Sequence, residues 1–551
     1  MSDRIDINPE FREALRLMED SDGHVFVTGR AGTGKSTLLQ HWRGQTKKKA
    51  VVLAPTGVAA LNVRGETIHS FFGFRPDVTV GKIRKKGRND EKAKLIRKLD
   101  AIVVDEISMV RADLLDCMDA SLRLHGRDRH RPFGGTRMIL IGDLHQLQPV
   151  VTREQAGMFN GSPYVSPHFF SAHVFGAGQL PGVSGAPELA TVELKKIYRQ
   201  TDREFIGALE SVRSGRVEPE HLDLFNTRFD PRFEPDPEEF WIQLTTTNAR
   251  ADAVNERQIS LLKGKPWSNK AAIAGELGTM SFPTGDDLSL KEGAQVMFVN
   301  NDREGRWVNG TVGRVAGFER YKKEPDVVLV ELEDGDVVDV LPNTWEAIRW
   351  EYDERAGAIE SDVVGSFTQY PLRLAWAVTI HKSQGKTFDR VVLDLGTGAF
   401  APGQTYVALS RCRTLGGLVL KQPLKRGHVF TDERVNAFLR GEEVRALPRP
   451  SDKEMADIAE RLREAVREAR PVEMEYTKAD GGTNRRVITP SYVGEIEFGG
   501  QRFMGMRGHC RLRDEERTFR LDRVVSVNPV GRPKKVGAKA GKRCVAERAR
   551  G

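Results

Sequence analysis

Cysteine is scarce in this chain: four residues among 551, at Cys117, Cys412, Cys510 and Cys544, none of them at Cys-x-x-Cys spacing. That excludes a disulfide framework and leaves no zinc-ligand pattern. No apolar run approaches the roughly 20 residues that cross a bilayer, so no membrane partner is expected. The first residues, MSDRIDINPEF, lack a basic stretch followed by an apolar one. No secretory leader is read there, and the cytoplasm is the expected address, at the nucleoid if the source is prokaryotic. Aromatic residues are also few, at 7%, yet 39% of the chain is hydrophobic and 29% charged. This is the composition of a globular protein with several cores, neither collagen-like nor wholly disordered. The length suggests about three or four domains.

The net charge of +8 is unevenly placed: Gly531–Gly551 holds eight Lys/Arg and one acid, which leaves the preceding 530 residues at +1. A basic tail of this kind suggests a polyanionic partner.

HVFVTG, AVVLAP, AIVVDE and RMILIGD alternate with polar helical stretches over the first 150 residues. Buried strands alternating with helices predict an α/β unit with a parallel sheet. FWIQLTTTN, AVTIHKSQG, RVVLDLG and GLVLKQ predict a second one. Between them GAQVMFVNN, GTVGRVAGF, DVVLVELEDGDVVDVL and AIRWEYDE are β-rich with Gly and Asp turns, and read as a small inserted β-barrel. The expected limits are 1–190 for the first unit, 191–279 and 356–440 for the second, and 280–355 for the barrel. A linker and amphipathic helix follow over 441–470, then a β-rich domain over 471–529 and a disordered basic tail over 530–551.

Gly29-Arg-Ala-Gly-Thr-Gly-Lys-Ser36 fits the phosphate-loop pattern, after an apolar strand and at the opening of a helix. Gly29, Gly32, Thr33, Gly34, Lys35, Ser36 and Thr37 form the expected phosphate cradle, because glycines let the backbone wrap an anion and the N–H groups of the helix start face it. Lys35 reaches the terminal phosphates, and Ser36 is a candidate Mg²⁺ ligand. Asp105 and Glu106 close another strand: Asp105 suits the Mg²⁺ shell, and Glu106 can orient or deprotonate an attacking water. An acidic strand cap is the alternative reading of the pair. Gln146, in the loop after Asp143, is placed to sense a γ-phosphate. Arg199 and Arg411, both read as part of the second unit, are candidates to neutralise charge on the phosphoryl group; either alone also suits a solvated surface.

In order along the chain stand GRAGTGKS, APTGVAALNVRGETIHSFF, DEISMV, PFGGTRMILIGDLHQLQPV, YRQ, VTIHKSQGKTFDRVVLDLG and YVALSRCR. Over residues 5–425 this set resembles the superfamily 1 DNA helicases of the 5′→3′ branch, nearest the petite-integration-frequency helicases and then the RecD-like ones. The resemblance implies two RecA-like motor domains, ATP and Mg²⁺ as cofactors, and work in DNA replication, repair or recombination. The partners it implies are single-stranded and forked DNA, and the chain is expected to be a monomer. It implies strand contacts at Pro55, Thr56, Gly57, Thr67 and His69, at Asn309 and Gly310, and at Thr379, His381, Lys382, Ser383 and Gln384. Direction of travel rests on the resemblance alone. Phe11 stands where the family has an adenine-reading Gln, so the resemblance does not imply adenine specificity by that route and leaves other nucleotides open. His145 and Gln148 replace an aromatic residue and a proline, a change expected to alter packing more than chemistry.

Phe71 and Phe72 suit base stacking or the core. The basic stretch 75–98, with Lys82, Arg84, Lys85, Lys86 and Arg88, suits a strand-separating wedge or a solvated loop. Residues 471–529 resemble a WYL domain, through Gly508-His-Cys-Arg-Leu-Arg513 and Arg517-Thr-Phe-Arg-Leu-Asp-Arg523, although the tripeptide that names that family is absent. Arg511, Arg513 and Arg520 are candidate phosphate contacts there, with Arg511 and Arg513 on one face of a strand; pairing with neighbouring acids is the alternative. Gly531-Arg-Pro-Lys-Lys535 resembles the core of a minor-groove-binding AT-hook. Lys35→Ala is expected to lower DNA-stimulated ATP hydrolysis by about 100-fold or more, read as steady-state phosphate release; normal turnover would mean that the nucleotide site lies elsewhere.

Overall fold

Successive side chains along a strand point to opposite faces, and in the computed structural model of this chain both faces of the N-terminal sheet are covered. The structure describes residues 6–85, 87, 90–152, 155–159, 163–176, 189–200, 202–277, 282–322, 324–354, 356–396, 401–442, 452–477, 483–498, 501–511 and 515–529. The first sheet has six parallel strands, in the order Glu66–Thr67, Ala50–Ala54, Ala101–Val104, Arg137–Ile141, His24–Gly29 and Leu189–Leu194. Val25, Val27, Val103, Ile139 and Ile141 pack with Phe11, Met18, Leu38 and Trp42 of helices Pro9–Asp20 and Lys35–Gln45. Phe26, Ile102, Val104, Met138 and Leu140 enter the opposite core with Leu115, Met118 and Leu122 of helix Ala112–His125. Double-sided burial is why these strands read as unbroken apolar runs. The edge strand pairs from His24↔Leu189 to Gly29↔Leu194, so the first sheet continues past the expected limit at 190.

Four parallel strands, Ala377–Thr379, Ile242–Thr245, Val391–Asp394 and Leu418–Leu420, make the second sheet. The chain then returns. Helix Glu433–Leu439 was expected within the second unit, but its Val435, Phe438 and Leu439 lie in the core of the first. Phe438 stacks on Phe170 with centroids 4.3 Å apart, and its N-capping Asp432 is bonded to His168 of the first unit at 3.1 Å. Apolar demand drives this: a short helix with one apolar stripe buries it where aromatic rings already cluster.

The inserted β region is wider than 280–355. Its main sheet is antiparallel, in the order Val337–Val340, Val327–Leu332, Val312–Glu319, Gln295–Phe298 and Leu372–Leu374. Among the described residues no pairing joins its two edge strands, so the pairing is that of an open sheet rather than a closed barrel. Trp267–Lys270 pairs with Asp287–Leu290, and Ala272–Gly275 with the hairpin strand Ala358–Gln369. The partner of Ala272–Gly275 lies some ninety residues along the chain, which leaves no local signal for that strand. Trp267, Phe298, Trp307, Val328 and Tyr370 fill the core of the insertion. The hairpin Asn343–Asp353/Ala358–Gln369 leaves that core: Trp350 is buried against the first unit, its N–H donating to Glu66 Oε2 at 3.3 Å, with the Arg43 guanidinium 5.5 Å over its ring.

Within 75–98, Glu91–Lys98 is a helix capped by Asp90, with Ala93, Leu95 and Ile96 buried. That half is packed structure rather than a free loop; Lys86 and Arg88 lie outside the described residues. Phe71 and Phe72 are core residues, 0% and 5% exposed.

Residues 447–551 form a separate unit. Five antiparallel strands, in the order Glu515–Arg520, Gln501–Cys510, Thr483–Phe498, Val472–Thr477 and Val524–Pro529, carry helix Asp452–Arg467 on one face. Ile458, Ala459, Leu462 and Ala465 meet Val472, Met474, Ile488, Met506 and Phe519. The helix expected as part of a linker is thus half of this core, because its apolar stripe has no other cover. The tail 530–551 and its AT-hook-like core lie outside the described residues. Leu462→Ala, at a 0% exposed position, is expected to destabilise this unit by about 2–5 kcal/mol. Calorimetry should show its transition moving while that of residues 1–446 stays; a transition that does not move would separate the helix from the sheet.

Candidate nucleotide and nucleic-acid site

The strand His24–Gly29 delivers its backbone straight into the phosphate loop, and helix Lys35–Gln45 follows. Gly32 and Gly34 have φ of 77° and 86°, the left-handed region that glycine enters without strain. Gly32 is needed for a second reason: a Cβ there would lie 2.5 Å from Arg199 Cβ. Tyr198 N–H donates to Gly32 O at 2.9 Å, which pins the segment after the edge strand onto the loop. Arg199, expected on the second unit, therefore rides on the first. Its guanidinium reaches across to Gly385 O and Ser410 O, at 3.3 and 3.5 Å. Lys35 Nζ donates to Gly29 O and Arg30 O at 2.8 and 2.9 Å, and burial lowers its pKa.

Asp105 and Glu106 stand at the end of Ala101–Val104, Glu106 at φ 50°. A non-glycine residue held there is strained, a condition that clusters at functional sites. Burial, with Glu106 beside it, pushes the Asp105 carboxyl up to about 7. Burial also raises Glu106, against the pull of Lys35 and Arg411. From the second unit, Gln384 Nε2 donates to Glu106 Oε2 at 3.2 Å and lies 3.4 Å from Gln146 Oε1. Arg411 is 1% exposed, and its donors go to Val407 O, Ser383 O, Lys386 O and Ser410 Oγ. Burial, and then Arg199, pushes its pKa down to about 9, the direction for a cation short of an anion. A cleft of about 840 Å³ is lined by Lys35, Ser36, Thr37, Glu106, Gln146, Arg199 and Arg411, among others.

A curated relative, the ATP-dependent DNA helicase Pif1 of Bdellovibrio bacteriovorus, is 33% identical over 428 residues, 76% of this chain and 88% of the relative. This chain belongs to the PIF1-like helicases. The model of that family matches residues 7–220, and that of the WYL domain residues 457–529. The human ATP-dependent DNA helicase PIF1 is 35% identical over 420 residues, 72% of this chain and 57% of the human protein. A crystal structure of Bacteroides sp Pif1 in complex with ADP-AlF4 is similar at a TM-score of 0.71 and 33% identity, covering 80% of this chain and 97% of that one.

In this PIF1-like helicase the residues expected to touch a strand at 55–69 and 379–384 follow the C-terminal ends of parallel strands, where ligands of open α/β sheets gather, whereas Asn309 and Gly310 lie in a turn of the antiparallel insertion. Thr56 and Thr67 also cap helices: their hydroxyls accept from Ala59 N–H and Ser70 N–H, both at 3.2 Å. Pro55 and Gly57 flank the first cap, and burial lowers the pKa of His69 beside the second. Thr379 and Ser383 serve their own loop, Ser383 Oγ donating to Ile380 O at 2.7 Å, while His381 and Lys382 are exposed. Asn309 meets Asn62 of the first unit at 3.4 Å, which brings the Asn309–Gly310 turn to the helix that Thr56 caps. Phe11 is 3% exposed, its ring edge-on to His41, and it has no polar atom with which to read a base.

The C-terminal candidates belong to the separate unit of residues 447–551. Arg511 lies in the turn after Cys510, off the end of its strand, so alternation does not pair it with Arg513, which lies outside the described residues. Arg520 is paired with Asp522 at 2.9 Å and stacked over Phe503.

Two neighbours of the site were given no role by the sequence, Arg213 outside every motif and Tyr406 at the head of YVALSRCR. Arg213 is buried, 3.5 Å from Asp143, and despite burial that carboxylate holds it protonated. Tyr406 Oη accepts from Ala31 N–H at 3.2 Å. Both sit on helices whose inward faces only the fold defines. His145 and Gln148 do more than repack: His145 Nε2 donates to Asn436 Oδ1 at 3.0 Å, and Gln148 Nε2 to Asp432 Oδ2 at 3.4 Å. The two substituted positions thus both reach the returning C-terminal segment of residues 1–446. Burial, then Arg213, pushes His145 down to about 4, so it is neutral at pH 7. In denaturant unfolding His145→Ala and Asn436→Ala are expected to be non-additive by about 1 kcal/mol; additive losses would mean that the bond contributes nothing.

Proposed function

We propose that this PIF1-like helicase hydrolyses ATP to move 5′→3′ along single-stranded DNA and to separate the strands of forked duplexes, acting as a monomer. The observation that carries the reading is the loop His381–Lys386. On one side Gln384 touches Glu106 and Gln146 at the nucleotide cleft. On the other, His381 and Lys382 are open to a nucleic acid. The relatives' names and the ADP-AlF4 complex of the Bacteroides protein support ATP as the nucleotide. Structures of that protein bound to single-stranded DNA, 33% identical to this chain, support the strand.

The phosphate loop binds the nucleotide through backbone N–H groups, with Lys35 on the terminal phosphates. Ser36 and Asp105 would hold Mg²⁺, which when bound neutralises phosphate charge; hydroxyl and carboxylate oxygens are the donors this hard cation takes. Glu106 orients the attacking water and accepts its proton. Arg199 and Arg411, both lining the cleft and both bonded to Ser410, stabilise the developing charge of the phosphoryl group. Because both guanidiniums also hold carbonyls of the second unit, a change in phosphate charge alters the closure of that unit. Pro55, Thr56, Gly57, Thr67 and His69 grip one stretch of strand, and Thr379–Gln384 with Asn309 and Gly310 the next. Alternating the two grips with closure gives one-way stepping. The WYL-like unit is an accessory DNA-binding or regulatory module, with Arg511 and Arg513 as its candidate phosphate contacts, Arg520 being held by Asp522.

Strand release from partial duplexes with a 5′ or a 3′ tail, with ATP and Mg²⁺, tests this directly. Release from the 5′-tailed substrate alone is expected, and it should persist after deletion of residues 445–551. Release from the 3′-tailed one alone would reverse the direction; DNA-stimulated hydrolysis without release would make the chain a translocase.

A further inference from the structure

Two residues beyond His381, Lys382 and Gln384, and outside every motif role assigned above, a second cationic group has formed. Lys386 is half-buried; its Nζ donates to Asn309 Oδ1. The turn that presents Asn309 lies directly on the lysine stem: Gly310 has φ 106°, and a Cβ there would be 3.3 Å from Lys386 Cβ. Arg373, on the strand Leu372–Leu374 opposite Met297, adds its charge to both Lys386 and Lys382. Its Nε is buried without a hydrogen-bond partner, and Asp252 is the acid that offsets it. Three cations from two parts of the body thus gather where the first unit, through Asn62, also arrives.

Burying a cation with little counter-charge is costly. Burial, and then Arg373, pushes the Lys386 amine down to about 7, and burial lowers Arg373, which Asp252 only partly offsets. Both shifts have the sign that an approaching anion would reverse. A phosphodiester has two unesterified oxygens, one for an ammonium and one for a guanidinium fork.

We propose that one phosphodiester of the bound single strand seats between Lys386 and Arg373, against the Asn309–Gly310 turn. This rests on the single-strand reading above and extends it to two residues to which nothing else assigns a role. It also gives the strand a short route to the nucleotide, because Lys386 O accepts from Arg411 Nη1 at 3.2 Å. A strand that advances by one phosphate displaces Lys386 and, with it, a carbonyl that holds the arginine at the cleft.

The test is fluorescence anisotropy of a labelled oligo-dT on the full chain over a range of salt. Lys386→Met preserves the length of the side chain and removes its charge. It is expected to lower the slope of log K against log salt by about 0.7, the value of one phosphate contact on a single strand, and to weaken binding about tenfold. Arg373→Met should do the same, and Lys386→Arg should keep the wild-type slope. Both Met variants retaining the wild-type slope, whatever their affinity, would overturn the seat. Wild-type binding with no salt dependence would overturn the backbone-led strand reading itself, a separate result seen before any variant is made.

Discussion

The architecture of residues 1–446 turns on a guanidinium with no carboxylate. Arg411 is buried at the boundary of the two sheets, and among the described residues it forms no ion pair; carbonyls and one hydroxyl satisfy its hydrogen bonds. Neutral acceptors fix its position without neutralising its charge, so the local potential stays positive. Glu106 and Asp143 soften it from a distance. Such a site gains most from an added polyanion, and the loop that supplies two of the acceptors, Ser383 O and Lys386 O, also carries the exposed His381 and Lys382. Binding in the cleft and the shape of the loop are therefore one electrostatic problem.

Local patterns were the readable part of this molecule. The phosphate loop, the carboxylate pair, four of the six strands of the first sheet and the four of the second are contiguous stretches whose period or spacing states their structure, and each stands where it was expected. What escaped is non-local. Arg199 follows an edge strand, Leu189–Leu194, whose parallel partner lies at the start of the chain, and nothing near residue 190 indicates that pairing. The insertion begins and ends with strands that meet only each other's distant neighbours. Arg213, on an amphipathic helix, and Tyr406, on a short helix buried on all sides, have no assigned role until packing turns them toward Asp143 and Ala31.

Polar substitutions within a motif were the subtler loss. His145 and Gln148 read as repacking because each was weighed against its sequence neighbours alone. Their partners, Asn436 and Asp432, are nearly 300 residues away. Asp432 is itself a junction, taking His168, Arg434 and Gln148 at once, and despite burial these donors keep it ionised. A buried carboxylate so fully satisfied fixes one geometry, and here that geometry sets the position of the loop bearing Gln146.

The returning helix Glu433–Leu439 has a kinematic consequence. Covalent chain passes between the two parallel-sheet units twice, once after Leu194 and once before Asp432, and each passage is anchored on the first unit, by the Tyr198–Gly32 bond and by the Asp432–His168 bond. Two such crossings leave the units fewer ways to move against each other than one would, and the burial of Trp350 in the first unit's core restricts them further.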